Sequence, residues 1–290
     1  MKILFVVNPK SGKGSNEDIE GKISNFASKE GIDYEIYKTE GKGDKANIES
    51  YIKRFRPKTL VTAGGDGTIN LVVPLILKHK IELGIIPAGS ANGLAYNLNI
   101  PVDIEKSLEK LTQKQPTPID VITLNETFYC LHLSDTGINA RVVKRFEKEG
   151  SKGLVGYGKQ LIKELFSGDS AFRVKINTGE IRKSTKAEMV VIANATSYGT
   201  GAQINPQGEI NDGKFEIVVI KPYPWWILIK MAVSFFTGGL TRLENVRVYS
   251  TSSATITFKE PRDLQIDGET KEGIKYLQAK IIPAAIKVYY

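Results

Sequence analysis

Residues 60–70 place three glycines and one carboxylate between a short apolar run and a helical pattern. The order is Gly64-Gly65-Asp66-Gly67-Thr68. Glycines let backbone N–H groups approach a large anion, and the start of the following helix adds a partial positive charge. A carboxylate beside phosphates requires a cation nearby, so Asp66 indicates a nucleotide phosphate site with Mg²⁺. The alternative is a tight strand-to-helix turn in which Asp66 is only the N-cap.

Two more loops of the first half follow apolar runs that are typical of buried parallel strands. Residues 8–14 read Asn-Pro-Lys-Ser-Gly-Lys-Gly, and residues 87–95 read Pro-Ala-Gly-Ser-Ala-Asn-Gly-Leu-Ala. Ligands of open α/β sheets bind at the carboxyl ends of the strands, where such loops lie. The first loop does not fit the spacing of a Walker A motif, and a solvated turn is its alternative interpretation.

These loops resemble motifs of known kinases. Residues 64–68 resemble the GGDGT signature shared by diacylglycerol and sphingosine lipid kinases, NAD kinases and, more loosely, phosphofructokinases. Residues 8–14 resemble the first lipid-kinase motif, and residues 87–95 resemble P-x-G-T-x-N-D-x-A, with Gly93 in place of the aspartate of bacterial diacylglycerol kinases. The resemblance implies ATP contacts from these loops and from the end of the second strand, namely Asn8, Pro9, Lys10, Ser11, Gly12, Thr39, Gly64, Gly65, Asp66, Gly67, Thr68, Asn70, Ser90 and Asn92.

Two Asp-Gly pairs in the second half are candidate sites, although Asp-Gly is also a common hairpin turn. Residues 198–202 followed by Asp212 resemble the lipid-kinase stretch that holds Mg²⁺. This resemblance implies a carboxylate from Asp212 and backbone carbonyls from Glu209 and Lys214. Asp267-Gly268-Glu269 resembles the late D-G-E motif of the family, which implies that Glu269 is the proton acceptor.

The composition limits the classes of partner and site. The 290 residues carry a net charge of +8, which favours an anionic partner. Cys130 is the single cysteine, so the chain cannot form an internal disulfide or a cysteine-based zinc cluster. The N-terminus reads as a strand rather than a signal peptide, and we expect a cytoplasmic protein. The apolar stretch of residues 224–236 is too short to span a membrane, which leaves core packing or membrane-surface contact.

The periodicity changes near residue 116. Before it, strands alternate with helices, which predicts an α/β domain over residues 1–116 with a doubly wound, mostly parallel sheet. After it, short strands predict a mainly antiparallel β-sandwich over residues 117–290, with helices at 139–149, 154–166 and 224–238. Gly41, Gly43 and Ala46 match a dinucleotide fingerprint, which we discount because Asp66 is embedded in its own glycine turn. The family resemblance implies an active-site cleft between the two domains.

The whole chain is therefore identified as a member of the diacylglycerol and sphingosine kinase superfamily. This implies an ATP- and Mg²⁺-dependent lipid kinase, with Glu269 as the base and Asp66 as the organiser of Mg·ATP. We expect peripheral association with a membrane that holds the lipid substrate, and no nucleic acid, because interleaved aromatic and basic residues are lacking. A homodimer is left open. NAD kinase and a non-catalytic anion-binding protein are the alternatives.

The acceptor lipid is predicted from charge. The small residue Gly93 favours the sphingosine and ceramide branch. Sphingosine kinases place an acidic residue shortly after Gly137, where this chain has Arg141, and a guanidinium would repel the amine of a sphingoid base. Asp135 is a second candidate partner for that amine, or else a helix cap. We therefore favour diacylglycerol or a related neutral or anionic lipid.

Overall fold

The computed structural model describes residues 1–11, 18–137, 171–199, 201–224 and 226–290. The chain forms one unit from residues 1–119 with 284–290, and a second unit from residues 120–283. The predicted helices over 139–149 and 154–166 lie outside the described residues, as do Gly12, Arg141, Thr200 and Trp225.

Strands and helices alternate in the first half, and strands dominate the second. The strands are β1 (Lys2–Val7), β2 (Asp33–Lys38), β3 (Thr59–Gly64), β4 (Glu82–Pro87), β5 (Thr117–Leu124), β6 (Phe128–Cys130), β7 (Leu133–Gly137), β8 (Phe172–Asn177), β9 (Arg182–Ala187), β10 (Met189–Ala193), β11 (Phe215–Ile220), β12 (Val246–Thr251), β13 (Ser253–Ile266) and β14 (Glu269–Val288). The helices are α1 (Ile19–Glu30), α2 (Asp44–Phe55), α3 (Asp66–His79), α4 (Gly93–Asn97), α5 (Ile104–Gln113) and α6 (Ile227–Thr237).

The first unit is built on a parallel sheet in the order β2-β1-β3-β4, with the end of β14 beside β4. Ile3, Leu4 and Phe5 of β1 are fully buried, as expected for a strand covered on both faces. Helices α1 and α5 pack over one apolar cluster of this sheet, and α2 contacts α3. The predicted doubly wound, mostly parallel sheet is confirmed.

The second unit is an antiparallel β-sandwich, which confirms the predicted architecture. Its main sheet runs in the order β12-β11-β10-β7-β13-β14. Strand β13 also pairs with β8, β8 pairs with β9, and β5 pairs with β14 and β6. Alternate residues Phe172, Val174 and Ile176 of β8 enter the main apolar cluster, as period-two patterning requires.

The strands near the end of the chain are longer than the sequence indicates. The sequence predicts short strands at 254–258 and 275–277, but these ranges cover only parts of β13 and β14. Pro261 and Pro283 interrupt the two apolar patterns, but irregular register between Thr257 and Leu264 accommodates the first interruption. Strand β9 was not predicted because its residues are polar, and among the described strands it pairs with β8 alone, at the edge of the sheet.

Helix α6 packs one face against the second unit. Met231 and Ser234 are buried, whereas Lys230 and Val233 are exposed. Ser234 therefore lies on the packed side of the helix, although its spacing from Lys230 predicts a shared polar face. Trp226, just before α6, is 62% exposed. No helix in the described parts of the chain combines the length and apolar character needed to cross a membrane.

Candidate functional site

Three loops meet at the carboxyl ends of β1, β3 and β4, because these strands are neighbours in a parallel sheet. The loop after β1 begins with Asn8, whose backbone N–H donates to the carbonyl of Ala63 at 2.9 Å. Its side-chain amide donates to Thr68 Oγ1 at 3.4 Å, and its Oδ1 accepts from Lys10 N at 3.0 Å. Asn8 therefore joins the first loop to the first glycine turn.

The two glycine turns touch backbone to backbone. A Cβ atom added at Gly65 would lie 3.1 Å from the Cα of Gly89, and one added at Gly89 would collide with the Cα of Gly65. A Cβ at Gly64 would collide with the side chain of Thr68. Glycine is required at these positions by close approach, since neither Gly65 nor Gly89 has a positive φ.

Asp66 connects these two turns. Gly65 is the N-cap of α3 and Asp66 is its first residue, so the alternative that Asp66 caps its own helix is wrong. The Asp66 carboxylate accepts instead from the backbone N–H groups of Gly93 at 2.7 Å and Leu94 at 3.1 Å. It thus caps α4, the helix that follows the second glycine turn, and the bonds are charge-assisted.

Asn92 fixes the shape of the second turn. Its Oδ1 accepts from Gly89 N at 2.8 Å, and its Nδ2 donates to the Gly89 carbonyl at 3.0 Å. Ser90, between them, is exposed, and Asn70 on α3 is half-buried. The side chains of Asn92 and Asp66 therefore already accept from the backbone N–H groups of residues 89, 93 and 94. The N–H groups at the start of α3 have no side-chain cap, so a phosphate would bind there.

The loop after β2 is held by its own carboxylate. Thr39 is half-buried, and its N–H donates to the Val7 carbonyl at 2.9 Å. The Asp44 carboxylate accepts from Tyr37 Oη at 2.7 Å and from the N–H groups of Glu40 and Gly41 at 2.9 Å.

The hydrogen bonds that the Asp44 carboxylate accepts change its pKa and also determine whether a phosphate can bind this loop. Burial raises the pKa of the Asp44 carboxyl, but the hydrogen bonds outweigh burial and leave this pKa below its usual value. An ionised carboxylate occupies the amides that a dinucleotide phosphate would need. The geometry therefore agrees with discounting the fingerprint of Gly41, Gly43 and Ala46.

In the second unit, Asp267 is buried and binds the backbone of a distant segment. Its carboxylate accepts from the N–H groups of Leu131 at 2.8 Å and of His132 and Leu133 at 3.0 Å. Burial, together with this carboxylate, raises the pKa of the Cys130 thiol well above its usual value. Asp267 therefore fixes the position of the hairpin that it begins.

Glu269 follows this hairpin turn at the start of β14. Asp267 and Gly268 both have positive φ, and Ile266 pairs with Glu269 across the turn, which is the geometry of a two-residue hairpin. The Glu269 side chain is 46% exposed and lies 3.1 Å from the Nζ of Lys271. The motif is thus a hairpin turn that also presents an accessible carboxylate.

The Asp212 loop is anchored by a residue that the sequence analysis missed. The Asp212 Oδ1 accepts from Lys214 N at 2.9 Å, and Glu209, Asp212 and Lys214 are all exposed. Asp120 is buried in β5, and its Oδ2 accepts from Gly213 N at 2.7 Å. A carboxylate inside the apolar run of β5 was the available signal.

The Asp212 loop is compatible with a bound Mg²⁺ ion. Across the described residues, no cluster of three or more histidine, cysteine, aspartate or glutamate side chains could hold a metal. Mg²⁺ is nevertheless bound in many proteins by one or two carboxylates plus waters, and the exposed Asp212 carboxylate is a hard oxygen donor of that kind. The contacts of Asp212 and Glu269 are with their own loops and do not join the two residues to each other.

Comparison with known proteins assigns both halves of the chain. The model of the diacylglycerol kinase catalytic domain matches residues 2–124, and that of the YegS C-terminal NAD kinase beta sandwich-like domain matches residues 133–290. Proteins named "Probable lipid kinase YegS-like" are 26% identical in Yersinia enterocolitica, over 98% of this chain and 95% of that protein, and 27% identical in Serratia proteamaculans, over 98% and 92%.

Solved structures agree on the fold. Two crystal structures from Bacillus anthracis str. Sterne, one described as "a putative diacylglycerol kinase" and the other as "diacylglycerol kinases", are each 20% identical and cover 100% of this chain and 96% of their own. Their TM-scores are 0.80 and 0.73. With the two domain matches spanning nearly the whole sequence, this chain belongs to the diacylglycerol kinase catalytic-domain family of lipid kinases, with a YegS-type C-terminal domain.

Proposed function

We propose that this protein transfers the γ-phosphate of ATP to a hydroxyl group of a membrane lipid, most readily diacylglycerol or a related neutral lipid. The observation that carries the proposal is the bridge from Asp66 to Gly93 and Leu94. This bridge holds the two glycine turns together at the carboxyl ends of parallel strands, where phosphates bind in open α/β sheets. Family membership supplies the lipid acceptor.

The residues of the first unit position the nucleotide. Backbone N–H groups at the start of α3 face the phosphates, while Asn8 and Thr68 hold the neighbouring loop against them. The proposed contacts comprise Asn8, Pro9, Lys10, Ser11, Gly12, Thr39, Gly64, Gly65, Asp66, Gly67, Thr68, Asn70, Ser90 and Asn92. Positioning and charge stabilisation supply most of the catalysis in phosphoryl transfer.

Glu269 is the proposed general base. Its carboxylate takes the proton of the lipid hydroxyl as that oxygen bonds to the γ-phosphorus, and the bond from phosphorus to the β–γ bridging oxygen breaks to release ADP. Asp267 positions Glu269 through its three backbone hydrogen bonds. Mg²⁺, proposed to bind Asp212 and the carbonyls of Glu209 and Lys214, would neutralise negative charge when present.

The environment of Asp135 supports a neutral acceptor. Asp135 lies within β7 and is 1% exposed, and the helix that it was expected to cap lies outside the described residues. Its carboxylate accepts from the Tyr198 hydroxyl at 3.1 Å. A buried carboxylate with this partner would have to be uncovered before it could bind the ammonium of a sphingoid base.

Phosphorylation of NAD is the second candidate, favoured by the NAD kinase-like description of the matched C-terminal domain. One assay separates the candidates: ATP consumption and product mass are measured with mixed micelles of diacylglycerol, with sphingosine micelles, with NAD and without acceptor. We expect phosphorylated diacylglycerol. A preference for sphingosine contradicts the acceptor assignment, and phosphorylated NAD contradicts the lipid assignment.

A further inference from the structure

The outer face of β8 and β9 is strongly basic. Along β8, buried Phe172, Val174 and Ile176 alternate with exposed Arg173 and Lys175. The apolar side chains enter the main core of the second unit, so the basic side chains point away from it. The amphipathic pattern of this strand therefore separates a core face from a cationic face.

Strand pairing concentrates the charge further. Arg173 lies directly opposite Lys186 in the antiparallel pair of β8 and β9. Like charges directly opposite each other destabilise a sheet. Lys259 of β13 and Lys275 of β14 line the same shallow groove as Arg173, which has a volume of about 460 Å³. We call Arg173, Lys175, Lys186, Lys259 and Lys275 the basic sheet face.

The basic sheet face lacks compensating acids. Within the described part of the chain, none of its five cations forms an ion pair. Glu260 is the single carboxylate among the described residues that line this groove and its neighbour. An anionic partner would therefore gain attraction and also relieve repulsion between neighbouring strands.

We infer that the basic sheet face docks the protein on an anionic membrane surface. The inference rests on the proposed function, since a lipid acceptor requires the enzyme to work at a membrane. A broad, exposed cationic sheet matches a plane of acidic headgroups. Sheets that bind single-stranded RNA present several aromatic rings for base stacking. The outward positions of β8 and β9 carry none, and exposed Tyr276 of β14 lies in the same row as Lys175. One tyrosine among five cations favours acidic headgroups over stacked bases.

Vesicle sedimentation tests the inference without requiring turnover. The variant Arg173→Gln/Lys175→Gln/Lys186→Gln is compared with wild type on phosphatidylcholine vesicles with and without phosphatidylglycerol. Each basic residue near an acidic surface strengthens partition by about fivefold, so the variant should bind about a hundredfold more weakly at low salt. Wild-type binding should require phosphatidylglycerol and fall at high salt.

The matched control removes the same charge elsewhere. Lys29, Lys106 and Lys114 are exposed on the helical first unit, and their triple change to glutamine should leave vesicle binding close to wild type. If the first variant melts early, Lys259→Gln/Lys275→Gln replaces it, with about a 25-fold loss expected. Equal losses in the control and the test variant would overturn the inference in favour of net charge alone.

Two further outcomes would also overturn it. Vesicle binding that is lost in Trp226→Ser but retained in the triple variant would place docking at α6. Binding of a single-stranded RNA oligonucleotide, without vesicle binding, would make nucleic acid the partner of this face. Turnover of diacylglycerol in detergent micelles tests the proposed function separately. Turnover without vesicle binding would reject only the docking role of the basic sheet face. Vesicle binding without turnover would reject only the kinase assignment.

Discussion

Replacing Asp66 by asparagine should loosen the start of α4 as well as slow phosphoryl transfer. The aspartate accepts two backbone hydrogen bonds, one on each oxygen, from Gly93 and Leu94. Asparagine has one oxygen and one NH₂ group, so one of the two N–H donors would face another donor. The loss of one charge-assisted hydrogen bond should cost about 2 kcal/mol.

This free energy sets the size of the measurable change. About 2 kcal/mol corresponds to roughly 30-fold faster amide exchange at Gly93 and Leu94, because every 1.4 kcal/mol is tenfold. Helix α4 has five residues, so the loss should appear as local opening more than as a lower melting temperature. Nucleotide affinity should weaken by up to the same factor, since the second glycine turn would be held in its bound form less often.

Hydrogen exchange followed by mass spectrometry, without nucleotide, measures the structural effect directly. Asp103→Asn is the matched control, because Asp103 caps α5 through Lys106 N at 2.9 Å and lies outside the three loops. Asparagine keeps the one oxygen that this cap uses, so exchange at α5 and turnover should both stay close to wild type. If Asp66→Asn abolishes turnover while exchange at Gly93 and Leu94 stays unchanged, the bridging role is refuted and Asp66 acts on bound Mg·ATP alone.

Three further predictions concern other residues of the site. Glu269→Gln should lower turnover by roughly 10²–10⁴ with little change in ATP affinity, and a matching fall in melting temperature would show a structural role instead. Gly89→Ala places a methyl group against Gly65, and calorimetry should show ATP binding weakened by about 1–3 kcal/mol. In Gly239→Ala the added methyl group meets only ordinary contacts, so this control should bind ATP as wild type does. Mg²⁺ should raise the melting temperature of wild type but not of Asp212→Ala, and equal shifts in both proteins would remove Asp212 from the metal site.

The parts of the site that depend on local sequence could be predicted. Apolar runs ending in glycine turns at residues 64–65 and 89 indicate strands followed by helices, and parallel pairing brings their ends together. The partners of Asp66 could not be predicted, because Gly93 and Leu94 lie 27 and 28 positions along the chain. Whether a carboxylate in such a turn caps its own helix or another depends on how closely the turns pack.

Long-range contacts account for most of what was missed in the second unit. The three amides that bind Asp267 are 134 to 136 residues away from it, so Asp-Gly reads as an ordinary turn in the sequence. Strand β9 is polar because it lies at a sheet edge and buries only Ala187 fully. Asp120 gave a local signal, a charge within an apolar strand, but its partner Gly213 is 93 residues away.

The end of β14 has a consequence for the order in which the protein can fold during synthesis. Residues 284–290 belong to the first unit, where the Tyr289 N–H donates to Leu83 O at 3.0 Å and the Tyr289 hydroxyl donates to Glu82 at 2.7 Å. The ribosome makes residues 1–119 first and reaches this segment some 160 residues later. At about 5–20 residues per second, β4 keeps an uncovered edge for roughly ten to thirty seconds. A nascent chain stalled in that interval should be the form most dependent on chaperones.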